Sequence, residues 1–249
     1  MTDPPETGID YGSGATGASG LHTFTSGERL VGSLGDDVRY LAGVYGNASI
    51  PHRLHVLIRR VTCPFDRIIA LLPEHGFHID AGCGHGVLPA LLHRSRPGTR
   101  ILGTDIDRRK IEQARRAAMT GVSFTTESLG CVPGGSADSL TMVDVLYLMP
   151  DPRKAELLNE CAEAMKPGAV LVVKDLVTEP RWKHRFISFQ EFLMVRVLRA
   201  TKGQEVRISS TATLAQIIEK SGFHPPEVHL MHRGYPYPHV CFVSRRREE

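Results

Sequence analysis

The sequence predicts an α/β fold in which a mostly parallel sheet is wrapped by helices and preceded by an N-terminal helical cap. From Gly76 onward, short apolar runs alternate with amphipathic stretches of helical period, the pattern of strands joined by crossover helices. Before Gly76 the apolar residues recur only at helical spacing. A glycine-rich turn, Gly82-Cys83-Gly84-His85-Gly86, follows the first apolar run directly, where an open parallel sheet receives a ligand.

Residues 1–24 carry Pro, Gly, Ser and Thr with almost no aliphatic side chains near the start. They cannot offset their ordering entropy by burial, so a flexible tail is expected. The cap is expected over 25–75. Thr25-Ser26-Gly27-Glu28 has capping-box spacing, and Val38, Leu41, Ala42 and Tyr45 fall on one helical face. Ile50, Leu54, Leu57, Ile58 and Val61 share a face behind Pro51; Phe65, Ile68, Ile69 and Leu72 share another behind Pro64.

The main domain is expected over 76–249. Its strands are predicted at Phe77–Ala81, Arg100–Asp105, Val122–Thr125, Ser139–Leu146 and Ala169–Lys174, with helices at Val87–Arg94, Arg108–Met119 and Arg153–Met165. Lys166-Pro167-Gly168 closes the last helix. A helical insertion follows at about 182–220, comprising Trp182–Ala200 and a capped helix Ser210–Lys220 closed by Gly222. Two final apolar strands, Val228–Met231 and His239–Ser244, flank a short connection that makes them antiparallel. Phe186–Leu198 is apolar almost all round and must be covered on more than one side, by sheet and cap, an apolar acceptor, a homodimer partner or a membrane surface.

The 249 residues carry a formal net charge of +3, short of the excess that phosphate-backbone binding needs, so nucleic acid is not favoured as a partner. The five cysteines are scattered without CxxC spacing, which argues against a disulfide framework or zinc knuckle and for a reducing cytoplasm. No apolar run is long enough for a membrane span, so a soluble protein with at most peripheral membrane contact is expected.

The glycine turn carries the chemistry. Its GxGxG spacing lacks the last glycine of the dinucleotide fingerprint, a position held by Val87, which disfavours NAD and FAD. Asp80, just before the glycines, suits a ligand with an ammonium group. Asp105, at the tip of the second strand in Gly103-Thr104-Asp105-Ile106-Asp107, can accept both hydroxyl protons of a ribose.

Together these motifs resemble the class I S-adenosylmethionine-dependent methyltransferases, from about Gly76 to the C-terminus. The resemblance implies a Rossmann-like seven-stranded sheet with an antiparallel final strand. It implies that S-adenosylmethionine is held by Asp80, Gly82, Cys83, Gly84, Gly86, Asp105 and Ile106, with Glu127 and Ser128 beside the adenine. It makes Cys83 a small packing residue rather than a nucleophile. Val143 to Pro152, with Met165-Lys166-Pro167-Gly168 beyond, is similar to small-molecule methyltransferases such as those of quinone biosynthesis. The Asn-Pro-Pro-Tyr-type motif of base-amine methylation is absent.

The implied reaction is transfer of the sulfonium methyl group to a small acceptor, apolar or lipid-like, by in-line displacement. Methylation of RNA or protein, or a regulatory module that holds the cofactor without turnover, are the alternatives. A hydroxyl acceptor needs a base, for which Tyr147, His184, Glu191 and Tyr40 are the candidates. His52 and His55 lie three apart but lack an evident third ligand, and Asp144, Asp151 and Asp175 echo a magnesium cluster only loosely, so no metal is assigned.

Overall fold

A computed structural model of the chain describes residues 21–23, 33–177, 207–231, 235 and 239–248. Eight strands form one sheet: β1 (Leu21–Thr23), β2 (Phe77–Ala81), β3 (Arg100–Thr104), β4 (Val122–Thr125), β5 (Ala137–Val143), β6 (Met165–Leu176), β7 (Glu227–Leu230) and β8 (His239–Arg245). Their spatial order is β1-β7-β8-β6-β5-β2-β3-β4. Strands β2 to β6 pair in parallel, and β8 slots antiparallel between β6 and β7. These are the seven expected strands with the expected antiparallel last one, and β1 is added at the edge. The strand order reverses between β2 and β3 on one side and β5 on the other, which opens a crevice at the carboxyl ends of β2 and β5.

The helices are α1 (Leu34–Val44), α2 (Ile50–Thr62), α3 (Phe65–Ala70), α4 (Val87–Ser95), α5 (Arg108–Arg115), α6 (Asp151–Ala164) and α7 (Thr211–Lys220). One sheet face buries Ile79, Leu140, Met142, Leu171 and Val173 against Leu158 and Cys161 of α6 and Leu214 and Ile218 of α7. On the other face Val143 and Val172 share a core with Leu88 and Leu91 of α4 and with Leu41, Val56 and Ile68 of the cap. Truncating a fully buried leucine such as Leu41 costs about 2–5 kcal/mol. The cap is therefore packed into the sheet's own core.

A buried ionic network reinforces that docking. Arg60 of α2, 3% exposed, donates from Nη2 to both carboxylate oxygens of Asp66 at 2.7 and 3.0 Å and from Nε to Asp37 at 2.8 Å. Arg94 of α4 donates to the other oxygen of Asp37 at 2.5 Å. Two cations and two carboxylates compensate each other across four helices, as buried charges must.

Several boundaries differ from the sequence reading for identifiable reasons. Leu21–Thr23, within the expected tail, pairs in parallel with β7; an open sheet edge accepts any extended backbone, so no side-chain pattern announces it. Helix α1 is capped by Ser33, whose Oγ accepts from the Asp36 amide and donates to the Asp36 carboxylate, whereas Thr25–Glu28 lies outside the described residues. Strand β5 stops at Val143 instead of Leu146 because Asp144 turns into the left-handed region, φ 58°, and a single 3-10 turn follows at Leu146–Leu148. Helix α5 stops at Arg115, short of Met119, and Ala118 has a positive φ of 40°. Trp182–Ala200 lies outside the described residues.

Candidate active site

The glycine turn joins β2 to α4 at the crevice. Gly82, Gly84 and Gly86 all have positive φ, at 76°, 55° and 79°. Side chains are excluded at two of them: a Cβ on Gly82 would collide with Val145 Cγ2, and one on Gly86 would meet Phe124 Cζ at 2.8 Å. At Gly84 the space is open, the nearest atom being Asp105 Oδ2 at 3.9 Å. The turn is thus clamped from behind and bare in front, the shape of a loop that lets a ligand approach its backbone.

Asp105 stands across that opening. Its Oδ2 accepts from the Gly84 amide at 2.9 Å and its Oδ1 from the Asp107 amide at 2.8 Å, which fixes the carboxylate while leaving lone pairs for further donors. Ile106 beside it is 91% exposed, a bare apolar surface at the strand tip. Glu127 and Ser128 follow β4, where the Glu127 amide donates to Thr125 Oγ1 at 3.1 Å; both border a cavity of about 280 Å³ that runs past Leu102 and Cys131 to Phe77 and Arg100 at the amino ends of β2 and β3. An adenosine has an apolar plane, a diol and amide-binding edges, and these residues offer a partner for each.

Asp80 is 2% exposed. Burial pushes its carboxyl up to about 7; Thr141, which donates to Oδ1 at 2.7 Å, works against that rise, and the nearby Asp105 carboxylate adds to it. A buried acid held so close to neutrality is suited to a cationic ligand group. The residues present therefore fit S-adenosylmethionine: Asp80 offers an acid to an ammonium group and Asp105 offers acceptors to a ribose. Burial also drives the Cys83 thiol far above its usual range, which disfavours the thiolate, and its sulfur packs beside Gly103.

The cap closes over the loop through three imidazoles that the sequence does not link. His85 lies 4.5 Å, ring centre to ring centre, from both His52 and His55 of α2. Desolvation first, and then neighbouring charges, lower His55 to about 4 and His85 to about 3, so all three are neutral at physiological pH. Tyr45 donates to the His85 carbonyl at 2.8 Å and pins the turn. Among the described residues no group of three or more His, Cys, Asp or Glu is arranged to hold a metal ion.

At the carboxyl ends of β5 and β6, Asp144 accepts from Arg59 of α2 at 2.7 Å and from the fully buried Lys174. These two cations outweigh the cost of burial and hold Asp144 well below the usual carboxylate range. Asp151 is bound instead to Lys154 and Ser209. Asp175, pushed up to about 7 chiefly by burial, accepts from the Tyr147 amide at 3.0 Å, which sets Tyr147 at this end of the crevice. Tyr40 sits on α1 with its hydroxyl against Met119 Sδ at 3.7 Å and Arg94 over its ring. His184 and Glu191 lie outside the described residues. The strongest signal for the missed residues His78 and Thr141 is polarity at alternate positions in otherwise apolar strands: His78 and Asp80 on β2, Ser139 and Thr141 on β5.

A sheet of this order with a donor-shaped glycine turn defines a class I S-adenosylmethionine-dependent methyltransferase. A family model described as a methyltransferase domain matches residues 53–227, and the chain belongs to that family. Among curated relatives, the ubiquinone biosynthesis O-methyltransferase of Cereibacter sphaeroides (strain ATCC 17029 / ATH 2.4.9) is 28% identical over 182 residues, covering 70% of this chain and 72% of that protein. The protein of the same name from Hahella chejuensis is 29% identical over 157 residues, covering 61% and 60%. Of solved structures, human N-acetylserotonin methyltransferase in complex with S-adenosylmethionine shares the fold at a TM-score of 0.61 and 15% identity; the alignment covers 87% of this chain but only 57% of the human one. A possible histamine N-methyltransferase from Thermotoga maritima aligns at 0.60 with 20% identity, covering 83% of this chain and all of that one.

Proposed function

We propose that the chain transfers the methyl group of S-adenosylmethionine to an oxygen of a small, partly apolar acceptor such as a phenol. The observation that carries this reading is the pair of cations at the ends of β5 and β6, Arg59 and Lys174, which converge on the carboxylate of Asp144. Cations beside the crevice lower the energy of an oxyanion there. The O-methyltransferase names of the curated relatives point the same way.

The donor supplies an already activated methyl group on its sulfonium. The chain's residues then bind, orient and dry the site. Asp80 and Asp105 fix the two ends of the donor, and the cap, seated through Tyr45 and the three imidazoles, covers the turn. The acceptor hydroxyl gives its proton to a base, for which Tyr147 at the strand ends, Tyr40 on the cap, and His184 and Glu191 are the proposed candidates. All five cysteines are unpaired, in keeping with a reducing cytoplasm. No helix among the described residues is long and apolar enough to cross a membrane.

The test uses S-adenosylmethionine with a 13C-labelled methyl group and parallel incubations with catechol, aniline and indole. A methoxy resonance from catechol supports the proposal. Label on nitrogen or carbon, with none on oxygen, contradicts it.

A further inference from the structure

The face of the sheet beneath α4 carries a row of buried polar side chains that leads to Asp80 and whose other members have no part in the donor contacts. His78 and Asp80 are two apart on β2, and the register sets them beside Ser139 and Thr141 of β5. All four are buried, at 1%, 2%, 3% and 0% exposure. His78 Nδ1 lies 2.9 Å from Ser139 Oγ, His78 Nε2 lies 3.1 Å from Thr141 Oγ1, and Thr141 Oγ1 donates to Asp80 Oδ1 at 2.7 Å. Polar groups this deep persist only when each is satisfied.

The proton count gives the row a direction. An ionised Asp80 can only accept, so the single hydroxyl proton of Thr141 points at it. Thr141 oxygen must then accept from His78 Nε2–H, and the bare Nδ1 must accept from Ser139. If Asp80 is protonated it can donate instead, and every bond in the row turns round: Thr141 gives its proton to Nε2, and Nδ1–H donates to Ser139. Burial, together with the Arg96 charge, keeps the ring neutral in both arrangements, so it has one proton to place on one nitrogen or the other.

We propose that His78 and Thr141 are positioning residues for donor binding: through this row they hold the Asp80 carboxylate ionised and aimed at the donor's ammonium group, and the tautomer of His78 switches with occupancy of the donor site. The inference rests on the donor-site reading above. The other groups acting on Asp80 are the Asp105 carboxylate, which opposes its ionisation, and Arg59, which favours it; the Cys83 thiol beside it stays neutral.

The test is 15N NMR of histidine-labelled full-length chain at pH 6.0, with the His78 ring signals identified as those lost in His78→Gln. The expected result is the Nδ1–H tautomer without donor and the Nε2–H tautomer when S-adenosylmethionine saturates the protein. Calorimetry of Thr141→Val should show donor affinity about tenfold weaker at pH 7 with its pH midpoint moved upward, kcat at saturating donor little changed, and Thr141→Ser restoring both affinity and midpoint. Donor binding with an unchanged His78 tautomer, or a Thr141→Val affinity and midpoint equal to wild type, overturns this inference alone. Absence of any donor binding to the wild-type chain overturns the donor-site reading and the inference together.

Discussion

Replacing Gly84 by alanine separates the ligand-facing role of the turn from its backbone strain. At φ 55° an alanine is disfavoured by about 1–2 kcal/mol, partly offset by the lower entropy of the unfolded chain, for a net loss of about 1 kcal/mol. Nothing inside the protein adds to that, because the new methyl has no neighbour closer than 3.9 Å. It projects into the gap facing Asp105, the proposed place of the donor. Gly168 provides the control: its φ is 72°, a Cβ there meets nothing within 4 Å, and it lies near the amino end of β6, away from the turn. Gly84→Ala and Gly168→Ala should therefore lose similar stability in urea melts. Only Gly84→Ala should lose donor affinity by calorimetry, by at least about tenfold, or about 1.4 kcal/mol. Equal donor affinity in the two variants would refute the placement of the donor against Gly84.

Other outcomes follow from the charge networks and the imidazoles. Asp144→Asn leaves Lys174 and Arg59 without their shared anion and should cost about 3–5 kcal/mol in denaturant unfolding, while Lys174→Met, which leaves Asp144 with Arg59, should cost less. Arg60→Met should cost a similar 3–5 kcal/mol by stranding Asp66 and leaving Asp37 with Arg94 alone, read as a drop in melting temperature. His55 and His85 are depressed to about 4 and about 3 from an unfolded value near 6.5, so their contribution is complete above pH 6.5 and is lost as pH falls toward 4. The melting temperature of wild type should fall across that window, and the His55→Gln, His85→Gln double variant should show a shallower fall; an unchanged slope would contradict the pairing of α2 with the turn.

How legible the protein was in its sequence varied with how local the causes were. Strands β2 and β4 were predicted residue for residue because short segments of alternating apolar and polar residues bounded by turn signals leave little choice. The donor turn was equally plain, since positive φ at Gly82 and Gly86 and the close approach of Val145 and Phe124 admit no other residue. The end of β5 was misjudged because Asp144 is bent out of the strand by Arg59 and Lys174, 85 and 30 residues away, and no local pattern carries that. The same holds for His52, His55 and His85, which meet only because α2 docks on the turn. The polar row from Ser139 to Asp80 was readable as period-two polarity in two apolar strands, but its meaning needed the register that sets β2 beside β5. Edge strand β1 left no sequence trace because three residues are too few to show a strand's alternation.

The central claim, that the turn from Asp80 to Gly86 with Asp105 is the donor site, is tested most directly by a crystal structure of the chain with S-adenosylhomocysteine. The account predicts the ribose hydroxyls within hydrogen-bond distance of the Asp105 carboxylate and the amino-acid end over Gly82 and Gly84 on the Asp80 side. A ligand bound elsewhere on the chain, with the Gly84 face left bare, would contradict it.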